Sequence, residues 1–410
     1  MNLLFYSDTL ELDGAIDRET FLDYLKYSDS FLKDVNFIDN DLADKYVIFF
    51  DTYCGKTSLE NLLCDSEKIV SDLQDGNCYI LFFYTDVVEH QFNTDDLYWT
   101  EFREVIKEHN INEDRFGFVF YETVLNEKRN EMDKIGIDIY SFNRYSVFFY
   151  HPKNNFLFNI FNNTRGYYRQ FKYCSYNNNI KDHRVELLLF LIKHQLLDDG
   201  ITTWFAGGEP QEQGVDDLDF TKFDSVGYGV VDYSKEYGKK VVDFANNHVP
   251  SSYDLKEDGF FDGLTFLNPI PHFNSYFNII TECSWGPGID NNDLQKITIT
   301  EKVWKPIVTF QPFILISMKD SLKKLKEWGF KTFDGFIDES YDTLETYGER
   351  KKVINKEIIR LCNMSRKELD DWYWSMEDIL QHNADNLVKF TDKEYSKLES
   401  AIKKGWSRCE

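Results

Sequence analysis

The sequence predicts an α/β protein of two domains, each a parallel sheet covered by helices, with a ligand cleft between them. Three observations predict it. Short apolar runs alternate with amphipathic stretches of helical length, the mark of parallel strands buried on both faces. The alternation runs to about residue 150, passes through an asparagine-rich stretch, and restarts at Phe171. The 410 residues also exceed what one core ordinarily holds. The expected domains are 1–165 and 166–365, followed by charged helices over 366–410.

In the first domain Tyr46–Phe50 reads as a buried strand ending in Asp51. Cys78–Tyr84 is a second strand, ending at Thr85 and Asp86, and Arg115–Tyr121 is a third. Helices are expected between and after them, over 58–74, 97–109 and 122–133, and Ser146–Tyr150 closes the domain. Asn154, Asn155, Asn159, Asn162 and Asn163 mark a turn-prone inter-domain passage.

The second domain opens with a strand over Phe171–Tyr176 and a loop from Asn177 to Lys181. A helix follows with Val185, Leu188, Leu189, Ile192 and Leu196 on one face, and Gly200 reads as the residue just past its end. Ile201–Phe205 is the next strand. Ala206 to about Gly263 is acidic and irregular and reads as an insertion or substrate-facing loop. Tyr276–Glu282 is a strand, Trp285–Gly288 a loop, then come a helix headed by Lys302 and the strand Phe313–Ile316. The last two helices run from about Arg366 to Lys404.

Composition narrows the function. Hydrophobic residues make up 42% and aromatics 17%, enough for packed cores. The net charge of -25 repels nucleic acid and acidic membranes at long range. The seven cysteines are scattered and never form a C-x-x-C pair, which argues against a zinc site or a disulfide framework. The first residues, MNLLFYSDTLELD, lack the basic start of a signal peptide, and no apolar run approaches the ~20 residues of a membrane helix. The expectation is a cytoplasmic protein with no membrane partner.

Ligands of parallel sheets bind beyond the carboxyl ends of the strands. The polar candidates there are Asp51, Asp86, Asn177, Glu282 and the turn over 298–302. Lys302 is the most telling, because a helix start already carries partial positive charge and a lysine there calls for a neighbouring anion. Backbone N–H groups and a lysine at one helix start form a phosphate site, so a phosphate-bearing ligand is expected. Thr298-x-x-Glu301 also fits a capping box, which would account for the turn by itself. Glu301 alternatively accepts hydrogen bonds from sugar hydroxyls. Arg184, heading another helix, either clamps phosphate in bidentate fashion or pairs with Asp182 or Glu186. His183 is open to a structural or a catalytic role, and Glu282 to a sugar contact or a solvated strand end. Two lookalikes are set aside. Gly55-Lys56-Thr57 ends like a P-loop, but that pattern needs glycine where Phe50 stands. Asp217-Leu-Asp219 mimics a metal dyad within a stretch rich in acids.

Ile299–Trp304, with Pro312–Ile316 shortly after, resembles the donor-binding segment of α1,3-fucosyltransferases. More broadly, the chain resembles GT-B glycosyltransferases of phages and large viruses. Lys305–Ile307, Gln311–Phe313, Gly329–Phe333, Asp338–Asp342 and the run from Tyr173 to Phe205 share in that resemblance, which covers roughly 170–360. It implies two Rossmann-like domains facing a cleft, the GT-B fold. The C-terminal half would hold a nucleotide sugar, with Lys302 and Arg184 on the diphosphate and Glu301 on ribose or donor sugar. His183, Glu282 and Thr300 complete the donor-site candidates. The acceptor base would come from the N-terminal half, with Asp8, Asp86 and Glu89 as candidates. The resemblance implies no metal and no cofactor beyond the nucleotide-sugar co-substrate. The acceptor would be a glycan, a protein or a hydroxymethylated base of viral DNA, in the host cytoplasm if the chain is viral. Ser284-Trp285-Gly286 stands where fucosyltransferases carry Glu-Asn-Ser, so the resemblance does not extend to fucose as donor. The alternative is a non-catalytic, two-lobed binding or scaffold protein of viral type.

Overall fold

A computed structural model describes residues 1–7, 35–38, 43–52, 55–84, 96–120, 138–143, 155–177, 182–204, 267–282, 297 and 299–410. The chain divides into two compact units, Met1–Val147 with Lys389–Glu410, and Phe148–Val388. Each is built on a parallel sheet and is Rossmann-like.

In the first unit the strands are β1 (Asn2–Ser7), β2 (Asn36–Ile38), β3 (Tyr46–Thr52), β4 (Cys78–Tyr84), β5 (Phe116–Phe120) and β6 (Asp138–Ser141). Their order is β2-β1-β3-β4-β5-β6, with every pairing parallel. Tyr46 to Phe50 and Cys78 to Phe82 are buried residue after residue, as strands covered on both faces must be. Phe82 stacks on Phe118 at 4.9 Å while Phe102 meets both edge-on, tying the sheet to its helix. The helices are α1 (Gly55–Asp65), α2 (Glu67–Asp75) and α3 (Asp96–Glu108).

The single helix expected over 58–74 is two helices. Ser66 breaks it, because its side chain accepts from the Ile69 N–H and caps α2. β1, β2 and β6 lacked a sequence assignment; the first two are short or half-exposed and offer no long apolar run. The expected elements at 122–133 and Ser146–Tyr150 lie outside the described residues.

The second unit begins with α4 (Asn155–Asn163). It continues through β7 (Phe171–Asn177), α5 (Asp182–Lys193), β8 (Gly200–Trp204), α6 (Pro269–Phe273) and β9 (Ser275–Thr281). Then come α7 (Glu301–Val308), β10 (Phe313–Ile316), α8 (Ser321–Glu327), α9 (Tyr347–Cys362), α10 (Arg366–Trp374) and α11 (Glu377–Cys409). The sheet order is β10-β9-β7-β8, all parallel. The chain moves one way from β7 to β8 and then returns to the other side of β7 with β9 and β10. The order therefore reverses between β7 and β9, where open parallel sheets place their ligands.

Two expectations about this unit need correction. Gly200 is not a helix cap. α5 ends at Lys193, and Gly200 opens β8 with an extended backbone, φ -139°. Glycine is needed there because a Cβ would overlap the Tyr173 ring. The C-terminal residues are also not a separate segment. Lys389–Glu410, the last part of α11 and the residue after it, belong to the first unit. There Leu398, Ala401 and Ile402 are buried, and Lys404 and Arg408 pair with Asp138. An amphipathic pattern shows that a helix has a buried face, but not which sheet it covers. The stretches at Ala206–Gly263 and Trp285–Gly288 lie outside the described residues. No helix among the described residues is long and apolar enough to cross a membrane.

Candidate functional site

The reversal point of the second sheet gathers the polar residues. Side chains stitch the ends of β7 and β9 together: Thr281 Oγ1 donates to Asn177 Oδ1 at 2.9 Å, and Asn177 Nδ2 donates to Ser175 Oγ at 3.2 Å. Glu282, one residue past β9, stays in line with the sheet because its N–H donates to the Ile316 carbonyl at 3.0 Å. Its own carbonyl accepts from His183 Nε2 at 2.9 Å, which fixes the imidazole proton on Nε2. One residue thereby links the head of α5 to the end of β9.

The Glu282 side chain is wholly buried. Thr300, the residue before α7, donates its backbone N–H to Oε1 at 2.8 Å and its hydroxyl to Oε2 at 2.7 Å. That hydroxyl has one proton, now committed to Glu282, so it presents a lone pair to Lys302 Nζ at 2.9 Å. Lys302 Nζ also donates to Glu301 Oε1 at 2.7 Å and lies 3.9 Å from Glu282 Oε2. The Lys302 side chain remains 20% exposed, whereas that of Glu282 is 0% exposed. Lys302 is the most exposed side chain of the Glu282–Glu301–Lys302 group.

The turn is built differently from the capping box expected of Thr298 and Glu301. Helix α7 starts at Glu301 and its N-cap is Thr300, whose side chain makes no cap bond. The Thr300 hydroxyl is spent on Glu282 instead. Thr298 lies outside the described residues. The anion that Lys302 called for also has a local answer, because Glu301 and Glu282 of this chain stand beside it. Glu301 in the first turn further suits the helix dipole.

The two carboxyls are driven apart in acidity. Burial pushes the Glu282 carboxyl above the usual range; Lys302 and the Thr300 donors oppose that shift, and the nearby Glu301 adds to it. Burial acts the same way on Glu301, but Lys302 and Lys305 outweigh it and hold Glu301 below the usual range. One acid is biased toward its neutral form and its neighbour toward the ionised form.

His183, Glu282, Thr300, Glu301 and Lys302 thus form one connected cluster. Arg184 is buried beside His183 at the head of α5. The base candidates Asp8, Asp86 and Glu89 lie outside the described residues. So do Asp217 and Asp219, and among the described residues no group of three or more His, Cys, Asp or Glu side chains is arranged to hold a metal ion.

No protein-family model matches the chain, and no curated protein matches it. Among solved structures it is similar to the N-terminal domain of trehalose-6-phosphate phosphatase from Candida albicans. That match has 10% identity and a TM-score of 0.41, covering 97% of this chain and 77% of that one.

Sequence reasoning missed two members of the neighbourhood. Lys305 stands one turn after Glu301 on the same helix face, a spacing that could have revealed it. His272, in α6, is fully buried and carried no such signal.

Proposed function

We propose that the chain is a glycosyltransferase that moves a sugar from a nucleotide sugar to an acceptor hydroxyl. The observation that carries this reading is the meeting of two helix heads, α5 and α7, at the reversal point of a parallel sheet, with Lys302 reaching solvent from the second. A departing nucleoside diphosphate gains negative charge as the glycosidic bond breaks. An ammonium at the positive end of a helix dipole stabilises that charge. Lys302 would turn from Glu301 to the diphosphate, leaving the Glu301 carboxylate to accept from ribose or sugar hydroxyls. In the GT-B arrangement, which belongs to this proposal, the acceptor and its base would come from the other Rossmann-like unit. Asp8, Asp86 and Glu89 are the candidates for that base. A glycan, a protein and a hydroxymethylated base of viral DNA all present a suitable hydroxyl.

One observation favours the competing reading, a non-catalytic two-lobed binding protein. Lys302 is already neutralised by Glu301 and lies near Glu282. A thermal melt with UDP, GDP, ADP and CMP separates the two. A bound nucleotide at a hundred times its dissociation constant stabilises by about 2.7 kcal/mol, whereas a scaffold shows no shift. Release of sugar from the matching nucleotide sugar, lost in Lys302→Ala, is the expected activity. No shift with any of the four nucleotides overturns the enzyme reading.

A further inference from the structure

Among the polar contacts of this site, the Glu282–Thr300 pair has a property that a simple anion pocket lacks. A threonine hydroxyl has one proton and two lone pairs, so where it sends the proton determines what it offers elsewhere. Here the proton points inward to Glu282 Oε2 at 2.7 Å, and the hydroxyl offers Lys302 an acceptor. In that state Thr300 would repel an anionic oxygen taking Lys302's place.

We propose that Glu282 is a positioning residue whose protonation turns the Thr300 hydroxyl outward as a donor to an anionic ligand. This rests on the reading of the α7 head as a diphosphate site. A proton on Oε2 lets Glu282 donate to Thr300 Oγ1, which frees the hydroxyl proton for the ligand. The Thr300 N–H keeps its bond to Oε1, because a neutral carboxyl still has a carbonyl oxygen. The balance is one proton taken up from solvent for each anion bound, and no covalent bond to the ligand is made or broken.

The surroundings favour that uptake. Glu282 is wholly buried, and the cation nearest to it among the described residues, Lys302 at 3.9 Å, is the group that would turn to the ligand. Among the described residues, the other charged or titratable groups beside it are Glu301 on α7, whose charge also favours the proton, and His183 on α5, whose Nε2 donates to the Glu282 carbonyl. Burial already biases Glu282 toward its neutral form.

Calorimetry tests this, using a nucleoside diphosphate from the panel above in buffers of low and high ionisation enthalpy across about pH 5 to 8. Wild type is expected to take up close to one proton beyond the ligand's own titration. Its affinity should fall by up to about tenfold per pH unit on the alkaline side. Glu282→Gln mimics the protonated acid, since its amide donates to Thr300 Oγ1 and its carbonyl accepts the Thr300 N–H. It should bind without the extra proton and with a flat pH profile. Thr300→Ser keeps the relay and should keep the uptake, which guards against a misfolded Gln variant. Uptake that persists in Glu282→Gln, or wild-type binding without uptake, overturns the relay while leaving the diphosphate site standing. Absence of nucleoside diphosphate binding by wild type at every pH overturns both.

Discussion

Both carboxylate oxygens of Glu282 are held by one residue, Thr300, through its N–H at 2.8 Å and its hydroxyl at 2.7 Å. A buried carboxyl that loses a donor bears the desolvation cost of the orphaned oxygen. Thr300→Val keeps the shape and the amide but removes the hydroxyl. It should destabilise the protein by about 1–3 kcal/mol in urea unfolding, with an unchanged denaturant slope. Thr300→Ser loses only a methyl and should lose less, about 1 kcal/mol. Equal losses would mean that the methyl, not the hydroxyl, is what the site needs.

His272 gives the fold an acid-sensitive point. Burial and then the Lys305 ammonium hold its imidazole down at about 3, only partly offset by Asn278. The unfolded chain takes this proton near the ordinary histidine value of about 6.5, and the folded chain only near 3. The stability contribution is therefore complete above about pH 6.5 and is lost as pH falls toward 3. The linkage amounts to at most about 5 kcal/mol. His272→Gln should flatten the acid limb of a stability-versus-pH curve, whatever it does to stability at neutral pH. An acid limb as steep as that of the parent would remove His272 from the account.

The fold was legible wherever burial was continuous. Tyr46–Phe50, Cys78–Tyr84 and Phe313–Ile316 are runs that a strand covered on both faces would need; each forms a strand, buried along Tyr46–Phe50, Cys78–Phe83 and Phe313–Ile316. The meeting of His183, Glu282 and Thr300 through Lys302 was legible as residue types at strand ends and helix heads. Their partners were not. Nothing local in the sequence says that Thr300 spends its hydroxyl on Glu282, eighteen residues earlier, instead of on its own helix. Gly200 misled because glycine has two uses. After an apolar helical stripe it reads as a cap, whereas its reason here is the Tyr173 ring on the neighbouring strand. Such reasons arise from tertiary packing and leave no periodicity.

That packing makes Gly200→Ala costly. An added Cβ would overlap the Tyr173 ring, which cannot yield freely because its hydroxyl donates to the Leu196 carbonyl at 3.1 Å. Gly405 in α11 has the same relation to Tyr79, with ring atoms at 2.6 and 2.8 Å from a built Cβ. Each alanine should cost about 1–3 kcal/mol by overpacking, despite the better helix propensity of alanine at 405. Tyr79→Leu should recover much of the loss at Gly405→Ala, and none of that at Gly200→Ala. Thermal melts of the four variants read this out. A recovery at both positions would show that general loosening, not the named contact, is responsible.

A buried ion pair one turn along α5 carries the last prediction. Glu186 receives both Lys351 Nζ and the Tyr347 hydroxyl from α9, and all three are buried. Burial lowers the Lys351 ammonium's pKa even though Glu186 beside it acts to raise it. Desolvation therefore outweighs the attraction within the pair. The folded chain holds this proton less firmly than the unfolded one, so the group's stability contribution is present above the unfolded pKa and is lost as pH falls through the folded one. A pair of this kind is costly to break and inexpensive to replace. Lys351→Met alone strands the Glu186 carboxylate and should cost about 3–5 kcal/mol. Changing the group together, as Glu186→Leu with Lys351→Met and Tyr347→Phe, removes every charge and its obligations at once. That triple variant should unfold within about 1 kcal/mol of the parent, or above it. If instead it is as unstable as Lys351→Met, the pair contributes net attraction and the balance drawn from the Lys351 acidity is wrong.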